Sequence, residues 1–154
     1  MGSQARYIIL ILAFIAVVAA MYSTGSLDLG QKYNNTITVV NAKAIALPMG
    51  GGAFMKIING YPDPVCLVKA ELSGHPEARV ELHRTIIDDR GVAKMQPVEK
   101  ICIEPGGSVE LKHGGYHIMI MDVKLQEGST ILIKLYFDNG DIVDVDVPVK
   151  PKGG

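Results

Sequence analysis

From residue 33 onward the chain shows no helical period and reads as a succession of short β-type runs cut by turn residues. The runs cover 36–47, 53–59, 65–72, 78–84, 98–103, 108–111, 116–123, 130–137 and 142–149. Between them stand Pro48-Met49-Gly50-Gly51-Gly52, Pro62-Asp63-Pro64, Ser73-Gly74-His75-Pro76, Asp88-Asp89-Arg90-Gly91, Pro105-Gly106-Gly107 and Gly114-Gly115. These are the residues that punctuate strands. Seven to nine strands at this spacing predict an all-β antiparallel sandwich or barrel. Asp138-Asn139-Gly140-Asp141 predicts a tight hairpin with positive φ at both central positions. Apolar residues make up 48% of the 154 and charged residues 20%, enough apolar side chains for one core and too many for a disordered chain.

The mean hydropathy of +0.24 owes much to residues 7–21, fifteen apolar residues in a row preceded by Arg6 as the only charge. The run is shorter than the ~17–25 residues of a spanning helix. It reads as an N-terminal hydrophobic helix, either a secretory signal cleaved near Val18-Ala19-Ala20 or a membrane anchor. Either places the rest of the chain outside the cytoplasm. The expected organisation is a signal or anchor over 1–21, a polar tether over 22–33 and one β domain over 34–150. Asn34-Asn35-Thr36 is an N-glycosylation acceptor triplet, which suits an exported domain.

The net charge of −1, the absence of Trp and the presence of only three Phe exclude a basic or base-stacking nucleic-acid surface. Gly-x-Ser-x-Gly, a phosphate-binding loop with Lys and His-Glu-x-x-His are all missing, so no enzyme is expected. The acidic stretch from Asp138 to Asp146 reads as an outward-facing edge.

The residues that carry chemistry lie late in the chain. Along Tyr116-His117-Ile118-Met119-Ile120-Met121, strand alternation puts Ile118 and Ile120 on one face and His117, Met119 and Met121 on the other. In Val80-Glu81-Leu82-His83, Val80 and Leu82 point inward, so His83 shares the outer face with Glu81. Met95 follows the loop bearing Asp88, Asp89 and Arg90. Imidazole with thioether is a soft, neutral donor set that favours Cu(I) over hard cations, whereas zinc more often recruits thiolate or carboxylate. Met121 is a spare donor or a shield. His113 and His75 sit at turns and read as solvated loop residues. Met55 alternates with Phe54 and belongs to the core.

These positions resemble the motif of the PCu(A)C-type periplasmic copper chaperones. Eleven residues separate His83 from Met95, twenty-one separate Met95 from His117, and Ile118 separates His117 from Met119. Met95-Gln96-Pro97-Val98, Ile103-Glu104-Pro105-Gly106-Gly107 and Gly114-Gly115-Tyr116-His117 match the flanking pattern. The resemblance covers about residues 49–148. It implies a cupredoxin-like Greek-key β-barrel and a Cu(I) site near the surface formed by His83, Met95, His117 and Met119. It further implies delivery of copper to another protein, such as the CuA centre of an oxidase. The spacing before Met95 is one residue longer than the family's, an excess that falls in the Asp88–Gly91 turn. The His- or Met-rich tail of many relatives is missing, which leaves a second copper site without support.

Cys66 and Cys102 are the two cysteines. Export favours a disulfide. Alternation weighs against it, since Cys66 shares an inward face with Val68, Ala70 and Leu72 while Cys102 shares an outward one with Lys100 and Glu104. The bond stays open at this level. Two other functions stay open as well: a metal-free cell-surface β-sandwich for interactions, and a cupredoxin electron carrier. The copper donor and acceptor and the oligomeric state are not legible in the residues.

Overall fold

The computed structural model describes residues 32–151; the expected N-terminal helix, its cleavage or anchoring, and most of the tether lie outside them. Ten strands make up the domain: β1 (Ile37–Leu47), β2 (Gly50–Asn59), β3 (Val65–Leu72), β4 (Arg79–Ile87), β5 (Ala93–Pro97), β6 (Ile101–Ile103), β7 (Ser108–Leu111), β8 (Tyr116–Met121), β9 (Thr130–Phe137) and β10 (Ile142–Lys150). They follow the order β5-β4-β8-β2-β1-β10-β9-β3-β6, and β7 pairs with the second half of β2. All pairings are antiparallel except β1 with β10, which run parallel through Ala44↔Val149 and Ile45↔Lys150. The result is the expected all-β sandwich. One continuous core fills it, with Met55, Ile57, Ile118 and Ile120 from one leaf and Leu67, Ile133, Leu135 and Val147 from the other. Removing such side chains from water stabilises the fold by roughly 1.5–3 kcal/mol each.

The glycine run belongs to a strand, not to a turn. Pro48-Met49 alone turns the chain, and Leu47 pairs with Gly50. A Cβ on Gly50 would lie 2.0 Å from the Ile120 carbonyl oxygen, so glycine lets β8 approach β2 closely. Met95, which falls in none of the expected runs, lies on the edge strand β5, paired to β4 by Thr85↔Met95 and His83↔Pro97. Its residues are all exposed, so no apolar alternation marks it in the sequence.

The Asp138–Asp141 turn also differs from expectation. Only Gly140 has positive φ, at 92°, and its N–H donates to the Phe137 carbonyl, so the turn centres on Asp138-Asn139 with glycine following in the left-handed region. Asn139 stays out of that region and instead accepts a side-chain bond from the Asp141 N–H at 3.0 Å. The acidic stretch is not an edge, because β10 lies between β1 and β9 and Asp144 pairs with Lys134 at 2.9 Å.

Cys66 and Cys102 face each other across β3 and β6 and are bonded. The orientation argument failed at a register shift between Leu67 and Lys69. Val65 and Leu67 point into the core before that bulge and Ala70 and Leu72 after it, so Cys66 is outward beside Cys102. Asn59, the fully buried amide at the end of β2, donates to the carbonyls of Asp63, Ile103 and Glu104 and accepts from the Tyr61 N–H. It ties β2 to the β6 end of the opposite leaf.

Candidate metal centre

The β4–β8 ladder sets His83 directly opposite His117 and Glu81 opposite Met119. Leu82, Ile118 and Ile120 take the core side of these strands, so the His and Met side chains occupy the outer face. The two imidazole centroids are 5.7 Å apart in an edge-on arrangement, and the Phe54 ring lies 6.3 Å from that of His117. Gly52 opposes Met119 from β2. Met95, His117 and Met119 line one cavity of about 850 Å³ together with Thr85 and Phe54.

Burial differs sharply among the four. His117, expected in a site near the surface, is 3% exposed, whereas Met95 on the edge strand is 56% exposed. Alternation assigned His117 to the right face, but could not show that Phe54 and His83 cover that face. Met121 shares it too, yet it lies opposite Arg79 and accepts a 3.5 Å hydrogen bond to its sulfur from that guanidinium. It is not among the residues lining the cavity.

Each ring has one nitrogen held and one bare. The His83 Nε2–H donates to the Glu81 carboxylate at 2.8 Å, and the His117 Nδ1–H donates to the Gly115 carbonyl at 3.1 Å. His83 Nδ1 and His117 Nε2 are buried without any hydrogen-bond partner. These bonds fix the tautomers so that both bare nitrogens carry lone pairs. Buried acceptors left unpaired cost roughly 1–3 kcal/mol each, and two on facing rings are a rare extravagance in a stable domain. A carboxylate or backbone carbonyl on the far nitrogen is also the usual outer partner of a metal-bound imidazole. The donor chemistry therefore fits a soft metal ion.

Burial, foremost, holds the His117 pKa below its ordinary value; charge on His83 and on His113 acts the same way, against the Gly115 carbonyl, which favours the protonated ring. The unfolded chain then binds the extra proton near pH 6.5, and the folded one only at lower pH. Stability of the metal-free protein is therefore expected to be level above about pH 6.5 and to fall as pH drops from there toward the depressed native value. Urea unfolding of wild type and His117→Gln at matched pH checks this: the variant loses the slope, and an equal slope in both would remove His117 as its source.

One neighbour of the site was poorly legible in the sequence. Glu81 was placed on the right face, but its bond to His83 was not foreseen, although a Glu two positions before a strand His is the available signal. His113 is the exposed turn residue expected, and from that turn it also lines the same cavity as His117. Among the described residues no group of three or more His, Cys, Asp or Glu gathers as a metal site.

Residues 36–149 match the family described as putative lipoprotein LpqE-like. The chain belongs to the LpqE-like family. A curated relative, the putative lipoprotein Lxx21020 of Leifsonia xyli subsp. xyli, is 32% identical over 77 residues, 49% of this chain. The match covers 46% of that protein, so the chain spans about half the length of the relative. Among solved structures, the copper-bound PCuAC domain of PmoF2 aligns with a TM-score of 0.60 at 18% identity, over 75% of this chain and 93% of that one. The Cu(I) form of DR1885 from Deinococcus radiodurans aligns at 0.55 with 27% identity, over 79% and 85%. The LpqE-like β domain thus shares the fold of the PCuAC domains.

Proposed function

We propose that this LpqE-like protein is an exported copper carrier that binds Cu(I) through His83, Met95, His117 and Met119. The observation that carries the reading is the pair of buried, partnerless ring nitrogens on facing histidines, each with its other nitrogen tied. Copper-bound and Cu(I)-bound forms among the structural neighbours support it. His83 Nδ1 and His117 Nε2 supply the imidazole donors, and Met119 and the exposed Met95 supply sulfur. Four neutral donors hold a monovalent ion without adding charge, and an acceptor's thiolates or imidazoles then replace them one at a time. Met95, on an edge strand and half exposed, is the first donor to leave.

The lipoprotein character of the relatives and the apolar run at 7–21 support a location outside the cytoplasm, at a membrane or beyond it. A bonded cysteine pair suits that oxidising side. The copper acceptor is another copper protein, for example a CuA-bearing oxidase subunit. A blue-copper electron carrier would need a cysteine thiolate, and both cysteines are in the disulfide. A Cu(I) competition titration of wild type beside His117→Ala/Met119→Ala tests the assignment. The double variant is expected to bind at least about a hundredfold more weakly, since loss of an outer partner alone costs roughly 10–100-fold. Equal affinities would overturn it.

A further inference from the structure

Strand alternation normally leaves polar side chains on the outer face of a half-solvated sheet. Beside the His/Met cluster it leaves apolar ones. After the register shift between Val40 and Lys43, β1 turns Ala44 inward and Ile45 and Leu47 outward, and β2 adds Phe54. With Met95 and Met119 they make the floor of the 850 Å³ cavity, a volume in the range of roughly 300–1,000 Å³ used for organic ligands and inserted side chains, not for a bare ion. The rim is cationic. Lys43, Lys56 and Lys112 line the cavity beside one carboxylate, Glu110, which lies 4.0 Å from Lys112. Among the described residues Lys43 and Lys56 have no ion-pair partner. The chain as a whole is net negative at −1, so this excess is local.

We infer that this groove is where the copper-accepting protein docks, and that the acceptor presents an apolar segment flanked by carboxylates. The inference rests on the Cu(I) reading above and adds the partner's chemistry to it. His117 is nearly inaccessible elsewhere and opens on this cavity, so an incoming donor that displaces it has to enter here. The apolar floor gains from an inserted apolar side chain and desolvates the exchange. The lysine rim attracts acidic partners over several ångströms and repels basic ones, a contribution that salt screens. The concave floor suits an inserted side chain better than the flat surface of an anionic bilayer.

The test uses three synthetic peptides with the same Met and Leu positions and Glu, Gln or Lys at every intervening position. Each is titrated into isotope-labelled protein, with amide shifts as the readout. The Glu peptide is expected to shift Ile45, Phe54 and Lys56 and to bind at least about tenfold more tightly than the Lys peptide, with the margin shrinking as salt rises from about 0.05 to 0.5 M. In Lys43→Glu/Lys56→Glu/Lys112→Glu the order of preference reverses, while Cu(I) affinity stays within about twofold of wild type. Equal binding of all three peptides, or a preference unchanged by the triple substitution, overturns the inference. So do the same shifts produced by phosphatidylglycerol vesicles or by self-association on concentration, which would give the groove to another occupant. Loss of Cu(I) binding by the wild type is a separate measurement and sinks the copper reading instead.

Discussion

Cu(I) affinity is expected to fall by at least about a hundredfold in His83→Ala and by roughly 10–100-fold in Glu81→Leu, although Glu81 is not a proposed ligand. The Glu81 carboxylate accepts from His83 Nε2–H at 2.8 Å and thereby keeps the proton off Nδ1, the buried nitrogen proposed to hold the metal. Without that acceptor the ring is free to take the other tautomer or rotate, and the donor is lost for much of the time. Glu81→Gln keeps an oxygen able to accept the same bond and should recover most of the affinity. Nitrogen chemical shifts of His83 distinguish the tautomers directly, a readout that general destabilisation would not move. If Glu81→Leu leaves both the tautomer and the affinity unchanged, the carboxylate has no part in setting the site.

Breaking the Cys66–Cys102 bond is expected to cost the domain about 4 kcal/mol, the chain-entropy value for a loop of 36 residues, and to leave copper binding nearly untouched. That is a large share of the ~5–15 kcal/mol by which domains are stable. The local reason is β6, a three-residue strand at the end of the sheet order whose Ile101 and Ile103 are buried in the core. Three residues paired on one side make a weak ladder, and the disulfide pins it to β3 at its midpoint. The proposed copper ligands lie on β4, β5 and β8 in the other leaf. Urea unfolding of Cys66→Ser/Cys102→Ser measures the loss, and Cu(I) titration under native conditions should agree with wild type within about threefold. A loss under about 1 kcal/mol, or copper affinity falling in step with stability, would contradict this separation.

The strands and the outer-face grouping were legible because alternation is a strong signal wherever one face is buried. Ile118 and Ile120 are wholly buried, and this fixes the orientation of His117 and Met119 without any coordinates. What the residues did not reveal were departures from simple period. The bulge in β3 reversed Cys66, and close packing of β2 against β8 made a strand of three glycines that read as a turn. An edge strand without buried positions, β5, carried no pattern at all. Covering of His117 by Phe54 joins residues 63 positions apart, and no local rule reports such an encounter.

The parallel pairing of β1 with β10 brings the domain's first and last strands into register. Val145, Val147 and Val149 of β10 complete the core, so the sandwich cannot close until nearly the whole chain is present. A polypeptide threaded across a membrane amino end first would therefore emerge with its opening strand paired to β2 on one edge and the other edge unmatched until the end of the passage. Such long-range closure is slow compared with neighbouring hairpins. Maturation after any such passage would then be gated by the arrival of the final strand, and any copper loading would follow it.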